Sequence, residues 1–187
     1  MSDSPLPTAT SIVETLQRGD PPSLPSDDGW SGIMDPIRAL HRNNTSQWDR
    51  EDDARNDPED DFVVASAKRD IDRMNTARHG FIEAIDREIA ASIQLREGAP
   101  LATESPGMAV DRLSVLLIRL ASTEARAASG SADASACAER LPRLRRQLDA
   151  LEEAIGLLLS DLAGGKRTFV VYESLKLYGE EGPASDG

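Results

Sequence analysis

Aromatic side chains make up only 4% of this 187-residue chain, so aliphatic side chains must carry most of the packing. There is one cysteine, Cys137, which excludes an internal disulfide and makes a reducing, cytoplasmic setting the natural expectation. With only His41 and His79 beside it, zinc has too few ligands of its preferred kind. Long apolar runs are missing too. "VLLI" and "IGLLL" are far too short to cross a bilayer, and the opening "MSDSPLPTATSIVETL" lacks the basic and apolar regions of a signal peptide.

Positive charge is also in short supply, for the net charge is −12. Half of that excess falls in "DREDDARNDPEDD", residues 49–61, with eight acids and two bases. An acidic balance with no basic patch argues against nucleic acid and against an anionic membrane surface, both of which need clustered Lys and Arg. A cationic small molecule, a basic protein partner or a merely solubilising surface stays compatible.

What is present suits one soluble domain, 39% hydrophobic and 29% charged. Residues 1–30, with "SPLPT" and "DPPSLPSDDG", read as a largely disordered tail holding at most a short helix at Ser11 to Arg18. A single helical domain is expected over residues 31–179 and a disordered tail over 180–187. Its first main helix runs from Gly32 to Ala54 and stops at "RNDPEDD", where Pro58 disfavours helix at Asp57. The second covers Asp61 to Arg96, with Val64, Ala67, Ile71, Met74, Ile82, Ile85, Ile89 and Ile93 along one stripe. The third opens with Ser105 as N-cap and Pro106 at the first helical position, and is apolar around most of its surface, as a central helix should be. After a flexible "ASGSADASA", the fourth carries a 3-4 seam, Leu141, Leu144, Leu148, Leu151, Ile155, Leu158 and Leu162, before Gly164-Gly165 ends it. Pro142 marks either its true start or a kink. The aromatic "KRTFVVYESLKLYG" is expected to dock on the bundle, with "TFVVY" the one candidate strand. The fold class is all-α: an antiparallel bundle of four main helices.

Chemistry enters through faces that should be buried and are not apolar. The stripe of Ile33, Ile37 and Leu40 continues as His41, Asn44, Trp48, Glu51, Asp52 and Arg55. On the second helix Asp72, Asn75, His79 and Asp86 share an arc with Ile82, and Arg78 lies beside it. On the third, Asp111 lines up with Met108, Val115 and Ile118, followed by Arg112. Buried charges cost several kcal/mol unless paired. Three such faces imply either an internal ion-pair network, with Arg55, Arg78 and Arg112 serving Glu51, Asp52, Asp72, Asp86 and Asp111, or one polar cavity. The plainer alternative is that Glu51 and Asp52 wrap a solvated helix end and that each histidine is a satisfied core residue.

Four blocks in order carry a resemblance: "HRNNTSQWDREDDAR", "KRDIDRMNTARHGFIEAID", "ESPGMAVDRLSVL" and "FVVYESLKLYG". Together they resemble the bacterial family DUF4254 over most of residues 36–178, with Ala109 and Gly179 as departures. The resemblance implies an all-helical fold and no particular activity, and it adds Tyr172 and Lys176 to the positions expected to contact a ligand.

Other chemistries find little support. Di-iron bundles need Glu-x-x-His pairs, which do not occur. The acidic run has Ala54 where a calcium loop needs glycine and Asp60 where it needs a bidentate glutamate. "LAGGKRT" lacks P-loop spacing, and no G-x-S-x-G is present. The expectation is acid/base and electrostatic work without a metal or other cofactor, by a biosynthetic or tailoring enzyme or enzyme subunit acting on a polar, amine-bearing metabolite. An intramolecular displacement by the substrate's own amine is one such reaction. His41, Glu51, Asp52, Asp72, His79, Asp86 and Asp111 are the catalytic candidates. Asn44, Trp48, Arg55, Asn75, Arg78, Arg112, Tyr172 and Lys176 are the binding candidates. The competing expectation is a non-catalytic interaction module, dimerising or binding a protein through the leucine seam.

Overall fold

The computed structural model describes residues 4–19, 30–56 and 61–174. Within them the chain forms α1 (Ala9–Arg18), α2 (Ser31–Asn56), α3 (Asp61–Ser92), α4 (Pro106–Ala128) and α5 (Ala134–Ala163). Short connections pair α2 with α3 and α4 with α5 as antiparallel hairpins. The central element is α4, which packs on all four others. Its N-terminus forms as its residues dictate: the Ser105 hydroxyl accepts from Met108 N–H at 3.3 Å, and Pro106 occupies the first turn. Val110, Leu113, Leu117 and Leu120 of α4 then meet Ile37 and Leu40 of α2, Ile82, Ile85 and Ile89 of α3, and Ile155, Leu159 and Leu162 of α5 in one core.

The N-terminal reading needs correction. Rather than belonging to a loose tail, α1 is docked. Thr8 caps it by accepting from Ser11 N–H at 3.1 Å, and Leu6, Ile12, Val13 and Leu16 are buried in the main core against α5, α2 and α4. An isolated ten-residue helix is marginal in water. Burying each of those side chains contributes roughly 1.5–3 kcal/mol, which is enough to hold it. The disorder expected for residues 20–29 and 180–187 lies outside the described residues.

Three smaller differences have local causes. The helix expected to reach Arg96 ends at Ser92, and the chain then turns through Gly98 at φ +79°. The connector "ASGSADASA" is shorter than it looks. Gly130 at φ +69° makes the turn, and α5 already begins at Ala134, so Pro142 is interior and Cys137 is a buried residue of the first helical turn. "TFVVY" makes one isolated bridge, Leu101 with Thr168, because the segment it meets is a short inter-helix link. Phe169 of that segment is buried, and Val171 and Tyr172 pack on the core, as docking of the aromatic tail requires. The leucine seam of α5 faces the bundle's own core: Leu148, Ile155, Leu159 and Leu162 are buried, with Leu141, Leu144, Leu151 and Leu158 packed against them.

Helices α3 and α4 are tightly packed at Gly107. A Cβ there would lie 2.5 Å from the Ile82 carbonyl oxygen and 2.9 Å from Asp86 Oδ1. Gly107→Ala is therefore expected to cost about 1–3 kcal/mol of stability through overpacking, read as a lower urea midpoint at unchanged slope. An unchanged midpoint would show that the two helices can separate freely.

Candidate functional site

The polar residues of α2, α3 and α4 resolve into three separate arrangements. The first is a buried network. Asp111, only 6% exposed in the second turn of apolar α4, receives the Arg78 fork from α3, with Nε at 2.7 Å from Oδ1 and Nη2 at 2.5 Å from Oδ2. Asn44 of α2, also buried, donates its Nδ2 to Asp111 Oδ1 at 3.0 Å and to Ser114 Oγ at 3.1 Å. Ser114 Oγ in turn lies 2.9 Å from His41 Nδ1. The chain Arg78–Asp111–Asn44–Ser114–His41 thus ties three helices together. The Asp111 carboxylate only accepts, so it fixes the Asn44 amide with its nitrogen inward. The Asp111 hydrogen bond is the main reason that the Arg78 guanidinium is held above its usual range.

The second arrangement is a clamp around Asp86. This carboxylate is 0% exposed. Oδ1 accepts from Gly107 N–H at 2.7 Å, at the start of α4, and Oδ2 accepts from Tyr172 N–H at 2.9 Å. Burial raises its pKa, while hydrogen bonds from Ser105, Tyr172 and Gly107 oppose the rise. A carboxylate on the N-terminal amides of a helix is a favourable use of the helix dipole. Nearby, the Tyr172 hydroxyl lies 2.7 Å from His79 Nδ1, with the rings stacked at 5.6 Å.

The third is the wet end of α2. Arg55 Nη1 meets Asp52 at 2.5 Å and Nη2 meets Glu51 at 3.0 Å, all within one turn. Asp52 also lies 3.7 Å from Arg126 of α4.

The expectation of one shared cavity is therefore corrected. Asp72 is exposed, and it and Asn75 take no part in the buried network. Asp86 serves backbone amides, and Arg112 pairs with Glu104 at 2.5 Å instead of a buried acid. Glu51 and Asp52 take the helix-end role. Lys176 lies outside the described residues. Asp111 and Arg78 do pair, as spacing implied. The buried carboxylates of α3 and α4, Asp86 and Asp111, are consumed by bonds that tie segments of the fold together and do not line a common hollow.

Clefts form elsewhere. One of about 680 Å³ opens between α1, α2 and α4, with His41, Thr45, Trp48, Asp49 and Asp52 on its α2 wall. A second, of about 400 Å³, lies between α2, α4 and α5 and shares Trp48 and Asp52 with the first. Three buried polar atoms on this stretch of α2, Asn44 Oδ1, Gln47 Oε1 and Trp48 Nε1, have no hydrogen-bond partner among the described residues. Such atoms cost about 1–3 kcal/mol each and are uncommon, so three within five residues mark the α2 wall as a place where stability has yielded to something else.

Sequence reasoning missed Ser114, although it stands one turn after Asp111 on the same face. It also missed Arg119, Arg126, Arg140 and Arg143, which surround the smaller cleft. Among the described residues no three His, Cys, Asp or Glu side chains are grouped to hold a metal ion, and no helix is long and apolar enough to cross a membrane.

Fold and site together define an all-α bundle protein whose central helices are pinned by a buried Arg–Asp–Asn–Ser–His network. The chain belongs to the DUF4254 family, described as "protein of unknown function", whose model matches residues 35–171. No curated protein and no solved structure matches it.

Proposed function

We propose that this protein processes a polar, amine-bearing small molecule in the cleft between α1, α2 and α4, with His41 as the acid/base group. The observation that carries this reading is the hydrogen-bonded chain that begins at Arg78–Asp111 in the interior and ends at His41 on the cleft wall. An imidazole fixed through one nitrogen is held in a defined orientation, which general acid/base catalysis requires. The Ser114 hydroxyl both gives and accepts hydrogen bonds, so it can serve either ring tautomer as His41 gains and loses a proton. Asp49 on the same wall supplies negative charge for a substrate ammonium, and the Trp48 ring supplies an apolar face beside it. The supporting chemistry is proton removal from the ammonium, which turns the amine into a nucleophile.

The test is turnover of an amine-bearing metabolite panel by the purified chain, followed by mass spectrometry. His41→Gln should fold with an unchanged circular-dichroism spectrum and lose turnover by about 10²–10⁴-fold. Equal rates in variant and wild type, or a panel left wholly unchanged, would remove His41 from this role.

A further inference from the structure

The smaller cleft inverts the charge of the molecule around it. In a chain of net charge −12, its walls carry five arginines, Arg55 from α2, Arg119 and Arg126 from α4, Arg140 and Arg143 from α5, against one carboxylate, Asp52. The basic stretch "RLPRLRR" of α5, residues 140–146, supplies only two of the five, and the others come from α2 and α4 and join them when α5 folds back on α4.

Their charges are unequally answered. Arg55 and Arg126 share Asp52, at 2.5 and 3.7 Å, and Arg55 also holds Glu51. Arg140 is close enough to Asp133 to help lower that carboxyl's pKa, though not to form a salt bridge among the described residues. Arg119 and Arg143 have no carboxylate partner at salt-bridge distance among the described residues. Among the described residues, three guanidiniums thus face one cleft without a carboxylate at salt-bridge distance. Like charges converging on a concave surface repel one another and focus a positive potential there. Trp48, Cys137 and Leu144 give the same cleft apolar wall, so an organic group can lie beside the charges.

We propose that this cleft is a binding site for a small phosphate-bearing metabolite carrying about three negative charges, gripped by Arg119, Arg140 and Arg143. Guanidinium forks match phosphate oxygens in a bidentate way, and a ligand of that charge balances the three open cations where a monocarboxylate leaves two unanswered. A volume of about 400 Å³ holds a diphosphate or a phosphate ester but not a folded partner or a duplex. The site stands whether or not His41 acts as a base in the neighbouring cleft.

Isothermal titration of the full chain with inorganic pyrophosphate at low ionic strength tests it. Arg119 and Arg143 are exposed on their helices, so Arg119→Gln/Arg143→Gln should keep the wild-type circular-dichroism spectrum and melting temperature. The expected result is saturable one-to-one binding that weakens at least tenfold in this double variant and is tighter than that of orthophosphate. Absent binding, or equal binding by wild type and double variant, overturns the site. Tighter binding of citrate than of pyrophosphate overturns the phosphate assignment. Tighter binding of a single-stranded oligonucleotide, lost in the same variant, overturns the small-ligand assignment.

Discussion

Asp86→Ala is expected to lower the folding free energy by about 4 kcal/mol, because it strands one buried and one partly buried backbone N–H group at about 1–3 kcal/mol each and leaves a small void besides. The two donors belong to segments far apart in the chain. Gly107 N–H opens α4 and Tyr172 N–H lies in the segment after α5, and one carboxylate from α3 accepts from both. A domain of this size commonly has about 5–15 kcal/mol in all, so the variant should unfold at much lower urea. A change below about 1 kcal/mol would mean that other contacts hold the C-terminal segment.

The pH dependence of the same difference has a definite sign. Burial lifts the Asp86 carboxyl above its ordinary 3.8 in the fold. In the unfolded chain it ionises at that ordinary value. Between the two the folded state binds more protons, so stability falls as pH rises through the window and is flat above it. The stability of wild type minus that of Asp86→Ala should decline as pH is raised from about 3.8, then level off. A difference that grows with pH over that range would contradict burial as the dominant influence.

Asp111→Asn is the other large effect, expected at about 3 kcal/mol. Removing one charge of a buried pair commonly costs about 3–5 kcal/mol, and the lower end applies because the Arg78 side chain retains 28% of its exposure. The amide also turns a nitrogen towards donors that need an acceptor, since Oδ1 receives both Arg78 Nε and Asn44 Nδ2 and Oδ2 receives Arg78 Nη2. The informative comparison is Arg78→Met/Asp111→Asn, in which no uncompensated guanidinium remains. Its loss should be smaller than the sum of the single variants by about 1–3 kcal/mol, since the two residues act as one unit. Additive losses would show that the pair contributes no mutual stabilisation. The double variant also replaces the charged anchor beneath Asn44, Ser114 and His41 with a neutral amide. If His41 is the base proposed above, turnover should fall with little change in substrate affinity.

Much of the fold was legible in the chain. The 3.6-residue stripes placed four long helices, and Ser105-Pro106 set the start of α4. Gly164-Gly165 set the end of α5, with Gly165 at φ +65°. Apolar surface all round α4 predicted its central place, because only a helix enclosed by neighbours can bury every side. What misled was local composition. "SPLPT" and the proline-rich run after α1 hid four apolar side chains whose burial depends on a groove that three distant helices supply. The Ala/Ser/Gly connector concealed a helix start for the same reason, since weak local preference is overridden once Cys137 has a core to enter.

The site was legible in part. Spacing identified Asp111, Asn44 and His41 as inward-facing polar residues, and burial without a partner demanded that something satisfy them. Periodicity assigns a residue to a face but not to a partner. It therefore paired Arg112 with the wrong acids, when Glu104 lies close in sequence and space, and it read Asp86 as a catalytic candidate when its ligands are backbone amides that no side-chain pattern records.

By itself the sequence determined that this is an all-α bundle without a disulfide, and that each of three helices carries ionisable groups on an inward face. Those properties follow from composition and from periods of a few residues, which one chain segment displays alone. Only the tertiary structure decided that the interior charges become struts between helices and that five scattered arginines ring a single cleft. Hydrogen bonds and Coulomb forces act over a few ångströms of space, and distance along the chain says almost nothing about that separation.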